Sequence, residues 1–181
     1  MKKLAVLFSG KGTNFAHIVK TLHGKEVEVV VALTNNPEAE GISIAKEANI
    51  PLKVVNSRIF ETREAFDTEV VKWLKKYTPD LTVLAGFMRI LTPLFTKQIR
   101  AINLHPSLLP RHKGLNAIKK SYDDTYPEGG VSVHWVTSKL DSGKTIVQKR
   151  ISKKGLDFVT YNTAIKLIEK EILIEAIRKV L

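Results

Sequence analysis

The chain has 181 residues, 44% of them hydrophobic and 26% charged, which fits a single globular domain over residues 1–181. No apolar run approaches the length of a membrane span, so we expect no membrane partner. It contains no cysteine, which excludes a disulfide framework, a thiolate nucleophile and a cysteine-based zinc site and favours a cytoplasmic protein. The formal net charge of +11 does not decide between nucleic acid and a small polyanionic substrate, because the lysines are scattered along amphipathic segments rather than gathered in a block.

The first half of the chain alternates strand-like and helix-like segments. Apolar runs typical of strands buried on both faces lie at residues 4–8, 29–33, 81–85 and 101–104, with a shorter strand at 53–55. The segments with helical spacing are 14–22, with Thr13 as N-cap, then 39–48, 62–77 and a short helix that begins at Thr92-Pro93. This order predicts the α/β class, with a Rossmann-like, mostly parallel sheet flanked by helices.

The second half of the chain has a different pattern. Residues 131–136 alternate between the two faces of a strand, and residues 145–151 form a second strand after the turn at 140–143. We therefore expect an antiparallel C-terminal extension of the sheet. Residues 157–181 then have the apolar spacing of a final helix.

Two loops follow predicted strands at the carboxyl edge of the sheet, where open α/β folds bind ligands. Residues 9–14, Ser-Gly-Lys-Gly-Thr-Asn, join the first strand to the first helix. Their two glycines and the helix N-terminus suit a phosphate, and a plain strand-to-helix turn is the alternative. Phe15 stands where the dinucleotide fingerprint has its third glycine, so that fingerprint is excluded. The apolar loop at residues 86–91 either lines a slot for a flat heterocycle or belongs to the core.

Asn103 and His105 stand two residues apart at the end of a predicted strand, which Pro106 terminates because it has no N–H to donate. The period of two points both side chains to the same face, which suits the stabilisation of an oxyanion and the movement of a proton in acyl transfer. The alternative is that nearby backbone satisfies both side chains. Asp141, in the turn of the predicted hairpin, either caps its own backbone or reaches His105 and orients it.

The other histidines and the serines add no further candidate catalytic residue to Asn103, His105 and Asp141. His105, His134 and Asp141 lack the spacing of metal ligands, so we expect no metal site. No serine lies in a nucleophile-elbow context. The histidines interpreted as surface residues are His17, His23 and His112.

Taken together, stretches spread over nearly the whole chain resemble the phosphoribosylglycinamide formyltransferase family, a group of folate-dependent formyltransferases. The stretches are Phe8-Ser9-Gly10-Lys11-Gly12-Thr13-Asn14, Arg63-Glu64-Ala65-Phe66, Leu84-Ala85-Gly86-Phe87-Met88-Arg89-Ile90-Leu91, Asn103-Leu104-His105-Pro106-Ser107-Leu108-Leu109-Pro110, Ser132-Val133-His134 and Leu140-Asp141-Ser142-Gly143. The Asn-x-His-Pro-Ser-Leu-Leu-Pro motif with a later aspartate is similar to the signature shared by folate-dependent formyltransferases and hydrolases. The Gly-x-Gly-Thr-Asn loop and the length of the chain narrow the resemblance to this family.

The resemblance implies an enzyme of purine biosynthesis that transfers the formyl group of 10-formyltetrahydrofolate to the amine of glycinamide ribonucleotide without a metal. It implies that the catalytic residues are Asn103, His105 and Asp141. The residues that it implies for the ribonucleotide are Gly12, Thr13, Asn14, Gly86 and Glu169. Those that it implies for the folate co-substrate are Arg63, Met88, Arg89, Ile90, Leu91 and Leu140. We expect a monomer or homodimer with no nucleic-acid partner.

Some positions depart from the family pattern. Lys166 stands where some relatives carry a glutamine that touches the ribose, Lys144 replaces a proline after the turn, and residues 111–114 are more basic than usual. A formyltetrahydrofolate hydrolase, with water as acceptor, is a near alternative, and another folate-dependent N-formyltransferase is a second. A basic nucleic-acid-binding module is the alternative of a different class, and it leaves the catalytic residues unexplained.

Overall fold

The computed structural model describes residues 1–181, with seven strands and six helices. In chain order they are β1 (Lys2–Phe8), α1 (Thr13–Leu22), β2 (Val27–Thr34), α2 (Ile42–Glu47), β3 (Leu52–Val54), α3 (Arg63–Tyr77), β4 (Leu81–Leu84), α4 (Pro93–Thr96), β5 (Ala101–His105), α5 (Ala117–Asp123), β6 (Glu128–Trp135), β7 (Thr145–Ser152) and α6 (Phe158–Val180), with a 3₁₀ turn at Ser57–Ile59. The strands belong to one sheet in the order β3-β2-β1-β4-β5-β6-β7. The predicted fold class, a mostly parallel Rossmann-like sheet with an antiparallel C-terminal extension, is confirmed.

The chain divides into two units, residues 1–102 with Leu181 and residues 103–180, and the single formyltransferase domain over 1–181 stays a prediction. In the first unit β1 pairs in parallel with β2 and β4, and β2 pairs in parallel with β3. Residues 4–8 of β1 are fully buried, which explains their unbroken apolar run. Because the strands are parallel, the loops at 9–14 and 86–91 both leave the sheet at its carboxyl edge.

The start of α1 differs from the sequence prediction. Gly12, rather than Thr13, is the N-cap, with a φ of 72° in the left-handed region. A Cβ atom at position 12 would lie 2.9 Å from the Cα of Gly41, so only glycine fits this turn and Thr13 becomes the first helical residue. The start of α3 lies within one residue of the prediction, because the Thr62 hydroxyl accepts a hydrogen bond from Ala65 N.

In the second unit β6 and β7 pair antiparallel, as predicted. Helix α6 packs on both strands and buries Ile165, Ile168 and Ile172, the positions that its apolar spacing indicates. Helix α5 was not predicted, because its short and mostly polar sequence carries too few apolar residues to define a helical face. Tyr122 anchors α5 against Tyr161 of α6, with ring centroids 5.5 Å apart. None of the helices combines the length and the apolar character needed to cross a bilayer.

Candidate active site

The loop at residues 9–14 has the features of an anion site at a helix N-terminus. Gly12 is the N-cap of α1 and offers no side-chain hydrogen bond to the helix. The first N–H groups of α1 therefore have no capping side chain and are available to an anion. Gly12 is buried and Thr13 is exposed, while Asn14 is half-buried. The Oδ1 atom of Asn14 is buried and has no hydrogen-bond partner. Such an unpartnered acceptor beside uncapped N–H groups fits a protonated or hydroxyl-bearing ligand.

The loop at residues 86–91 is hydrogen-bonded to the first loop through Ser9. Ser9 N donates to Gly86 O at 3.0 Å, and Met88 N donates to Ser9 Oγ at 2.8 Å. Met88 is 66% exposed and Ile90 is 47% exposed, which is unusual for large apolar side chains. Leu91 is buried in the core. The exposed pair fits an apolar heterocycle, and the two loops form one edge of the first unit.

Arg89 and Asp67 tie this second loop to α3. The Arg89 guanidinium lies over the Phe66 ring at 4.7 Å, and its Nε is buried without a partner. Asp67 Oδ2 accepts hydrogen bonds from Thr92 N and from Thr92 Oγ1, both at 2.7 Å. Burial raises the pKa of Asp67, although the two bonds from Thr92 partly offset this effect. The sequence analysis missed Asp67. Arg63, the first residue of α3, is exposed.

The second unit brings Asn103, His105 and Asp141 together. Asn103 and His105 lie two residues apart at the end of β5, so the strand period places them on one face, as predicted. Asp141 Oδ1 accepts from Asn103 Nδ2 at 3.3 Å, and Asp141 Oδ2 lies 3.4 Å from His105 Nδ1. Of the two alternatives for Asp141, contact with His105 is therefore the observed one. Asp141 also accepts from Gly114 N at 2.8 Å.

The hydrogen bonds of His105 assign protons to its ring. Nε2 lies 2.8 Å from the carbonyl oxygen of His112, and a carbonyl only accepts, so Nε2 carries a proton. Nδ1 faces the Asp141 carboxylate at the longer distance of 3.4 Å. A donor on Nδ1 would turn this contact into a charge-assisted hydrogen bond. The ring is 5% exposed.

The surroundings of Asp141 keep it ionised. Burial alone would raise the pKa of Asp141, but the contact from His134, the hydrogen bond from Gly114 N and the positive charge of the imidazoles outweigh burial and lower the pKa below its usual value. Asp141 itself has a φ of 47°, a conformation that is rare outside glycine, asparagine and aspartate. A buried, ionised carboxylate on a strained turn beside two imidazoles is typical of a functional site.

Two residues to which the sequence analysis gave no role in the site, Ser132 and His134, contact this cluster or the segment that follows it. His134 donates from Nδ1 to Trp135 O at 2.9 Å, which leaves Nε2 facing Asn103 Nδ2 at 3.2 Å. Ser132 Oγ donates to Ser107 O at 2.7 Å and so holds the segment that follows His105. The signal for both was the alternation of β6, which places Ser132 and His134 on one face. No group of three or more histidine, aspartate or glutamate side chains has the arrangement of a metal site.

Further residues of the second unit complete the description. Glu169 on α6 is 4% exposed, and its carboxylate lies 3.3 Å from Lys166 Nζ. Lys166 is therefore paired with Glu169, which the resemblance implies as a contact of the ribonucleotide. Leu140 is 46% exposed.

The interpretation of His23 and His112 as surface histidines is wrong, because their side chains are only 19% and 25% exposed. His23 Nδ1 accepts from Val29 N at 3.0 Å, and His112 Nε2 lies 2.6 Å from Asp124 Oδ2.

Comparison with known proteins gives consistent matches. The family model described as "Formyl transferase" matches residues 2–177. Phosphoribosylglycinamide formyltransferase of Haemophilus influenzae is 37% identical over 83% of the chain and 73% of the relative, and that of Escherichia coli is 37% identical over 82% of the chain and 72% of the relative. The crystal structure of phosphoribosylglycinamide formyltransferase from Campylobacter jejuni superposes with a TM-score of 0.97 at 46% identity, covering 99% of this chain and 97% of that one.

Proposed function

The chain belongs to the formyl transferase family, and we propose that it catalyses the phosphoribosylglycinamide formyltransferase reaction of purine biosynthesis. In that reaction the formyl group of 10-formyltetrahydrofolate passes to the primary amine of glycinamide ribonucleotide. The hydrolase alternative is not favoured, because the relatives and the solved structures described above are transferases. A nucleic-acid-binding module would suit the net charge of +11, but it leaves the contacts of Asp141 with Asn103 and His105 without a role.

The observation that carries the proposal is the buried contact of Asp141 with both Asn103 and His105. An amide N–H donor, an imidazole and an ionised carboxylate meet within 3.4 Å. Acyl transfer to an amine requires a donor for the oxyanion and a path for one proton, and these side chains supply both. No covalent intermediate with the protein is required.

The residues act in a direct transfer. The substrate amine attacks the formyl carbon and forms the new C–N bond, and negative charge develops on the formyl oxygen. Asn103 Nδ2 and His105 Nδ1 donate to that oxygen; His105 is able to do so because its Nε2 is held by a backbone carbonyl while its contact to Asp141 is the longer one. Asp141 receives the proton that the amine loses. His105 gives a proton to the departing nitrogen as the bond from that nitrogen to the formyl carbon breaks, and the proton that Asp141 took from the amine then passes to His105, 3.4 Å away, so both residues return to their starting states.

Both loops of the first unit have features that suit the substrates. We assign the phosphate of the ribonucleotide to the uncapped N-terminus of α1, with Gly12, Thr13 and Asn14, because backbone N–H groups and the helix dipole stabilise an anion. Glu169 and Gly86 are the further contacts for this substrate. The folate heterocycle is assigned to the loop with exposed apolar side chains.

The folate assignment is supported by exposure and charge. The exposed apolar side chains are Met88, Ile90 and Leu140, and Arg89 and Leu91 belong to the same loop as Met88 and Ile90. Arg63 is an exposed cation on α3 and suits the carboxylates of the glutamate tail. The 10-formyltetrahydrofolate supplies the activated one-carbon unit, and these residues bind and orient it.

The test is a spectrophotometric assay of tetrahydrofolate release from 10-formyltetrahydrofolate, with and without glycinamide ribonucleotide. Release that requires the ribonucleotide is the expected result. Release at the same rate without it would show that water is the acceptor and would replace the transferase by the hydrolase. No release under either condition would contradict both.

The setting of the protein is proposed from the sequence. We expect a cytoplasmic protein that is a monomer or homodimer and acts on small molecules without a nucleic-acid partner. Sedimentation equilibrium measures the oligomeric state, and an assembly larger than a dimer would contradict this expectation.

A further inference from the structure

The backbone of residues 112–114 contacts both members of the acid–base pair. The His112 carbonyl accepts from His105 Nε2 at 2.8 Å, and Gly114 N donates to Asp141 Oδ2 at 2.8 Å. This stretch therefore sets where the imidazole and the carboxylate stand relative to each other. The mechanism above gives no role to the His112 side chain.

This stretch has an uncommon backbone conformation. The φ of His112 is 53° and that of Gly114 is 84°. A left-handed conformation suits glycine but strains a residue with a Cβ atom. A strained residue keeps its conformation only where contacts around it hold it in place. The side-chain contacts of His112 are therefore part of what fixes the position of its carbonyl.

A partly buried ionic network holds the His112 side chain. His112 Nε2 lies 2.6 Å from Asp124 Oδ2, and Asp124 Oδ1 lies 2.7 Å from Lys153 Nζ; the three side chains are 25%, 14% and 10% exposed. Lys153, the residue that follows β7, also donates to Ser121 O at 2.8 Å and to Tyr122 O at 3.3 Å, which caps the C-terminal end of α5. Burial alone would raise the pKa of Asp124, but the hydrogen bonds from Lys153 and His112 lower the pKa below its usual value.

The neighbouring cations do not share this role. The Arg111 guanidinium lies over the Tyr126 ring at 4.0 Å, and Lys113 Nζ donates to Ser142 Oγ at 2.9 Å. Both side chains point to partners outside the network. Of the basic segment that follows the catalytic strand, His112 is thus the residue whose side chain joins the network and whose backbone joins the catalytic pair.

We propose that His112 is a positioning residue for the formyl transfer: its imidazole, bound to Asp124 and through it to Lys153, holds the backbone that fixes His105 and Asp141. Only the expected effect on kcat rests on the proposed function. The structural link between the network and His105 holds whichever acceptor the enzyme uses.

The test compares two substitutions at one position with a matched control. His112→Gln keeps an amide N–H near the place of Nε2 and so keeps the hydrogen bond to Asp124, whereas His112→Phe keeps the ring shape and loses the donor. Asp124→Asn removes the charge of the partner. Asp123→Asn, the adjacent residue with the same substitution, alters only an exposed pair with Lys119 and serves as the control.

The expected kinetic result is a loss of kcat without a loss of binding. His112→Phe should lower kcat by about 10- to 100-fold, because misplacing catalytic groups by about 1 Å can cost about 100-fold, while the KM of each substrate stays close to that of the unmodified protein. His112→Gln should restore most of kcat, and Asp124→Asn should act in the same direction as His112→Phe. The control should change neither constant.

The second readout is the NMR resonance of the His105 Nε2 proton, which is buried and bonded to the His112 carbonyl. It should shift in His112→Phe and in Asp124→Asn but not in the control. An unchanged resonance together with unchanged kcat in a folded His112→Phe protein would overturn the proposal. If that variant does not fold, normal kcat in Asp124→Asn would overturn it instead. Failure of the unmodified protein to transfer formyl groups would contradict the proposed function alone, because the NMR comparison does not depend on activity.

Discussion

The substitution Asp141→Asn tests the centre of the mechanism. Asparagine is nearly isosteric with aspartate and tolerates the left-handed φ of 47° at this position, so the change removes a charge without adding backbone strain. The new amide oxygen is able to keep the hydrogen bond from Gly114 N. What is lost is the negative charge that lies 3.4 Å from His105 Nδ1 and the acceptor for the proton of the substrate amine.

The size of the effect follows from this geometry. Two unit charges about 4 Å apart interact by about 4 kcal/mol at an effective dielectric constant of about 20, and about 1.4 kcal/mol corresponds to tenfold in rate. The loss of the carboxylate should therefore lower kcat by about 100- to 1,000-fold, which lies inside the range of about 100- to 10,000-fold that general acid–base catalysis contributes. The KM of both substrates should change little, since Asp141 is not assigned to ground-state binding.

The assay is steady-state formyl transfer, with Asp123→Asn as control for a charge change on the surface. A kcat of Asp141→Asn within about threefold of the unmodified enzyme would refute the role of Asp141 in proton transfer. Stability provides a separate check of the sign. Because the pKa of Asp141 is lowered in the folded protein, its stabilising contribution is complete above the usual carboxyl value and is lost as the pH falls through the folded pKa. The difference in unfolding free energy between the two proteins should thus shrink in acid.

Three further predictions concern the two loops and Asp67. Gly12→Val should raise the KM for the ribonucleotide at least about tenfold, since hydrogen bonds to a charged group are worth about 1.5–3 kcal/mol each; a change in the folate KM alone would contradict the phosphate assignment. Ile90→Ala should raise the folate KM about 3- to 10-fold through lost apolar contact, whereas Ile59→Ala, at a side chain that is 73% exposed, should leave the KM unchanged. Asp67→Asn keeps an acceptor for Thr92 but cannot ionise. Because burial raises the pKa of Asp67, the unfolding free energy of this variant relative to the unmodified protein should rise from about pH 4 to neutral pH in urea titrations. A fall over this range would contradict the raised pKa of Asp67.

The sequence predicted the elements that depend on local patterns. Continuous apolar runs gave the buried parallel strands, and helical spacing gave the long helices, because burial of one face repeats along the chain with the period of the element. The same period of two placed Asn103 and His105 on one face of β5, and Pro106 marked its end. The N-cap of α1 was predicted one residue too late, because the close approach of Gly41 to Gly12 is a contact between distant parts of the chain.

The tertiary structure decided which side chains meet across such distances. Asp141 reaches Asn103 across 38 residues of sequence, and from the sequence alone its turn fitted self-capping as well as contact with His105. The His112 side chain finds its partners in Asp124 and, through it, Lys153, which lie elsewhere in the chain. Periodicity shows only which way a side chain points from its own strand or helix. The partner that it contacts there depends on the path of the whole chain. The identities of the residues in the cluster at β5 could therefore be predicted from the sequence, but their hydrogen bonds could not.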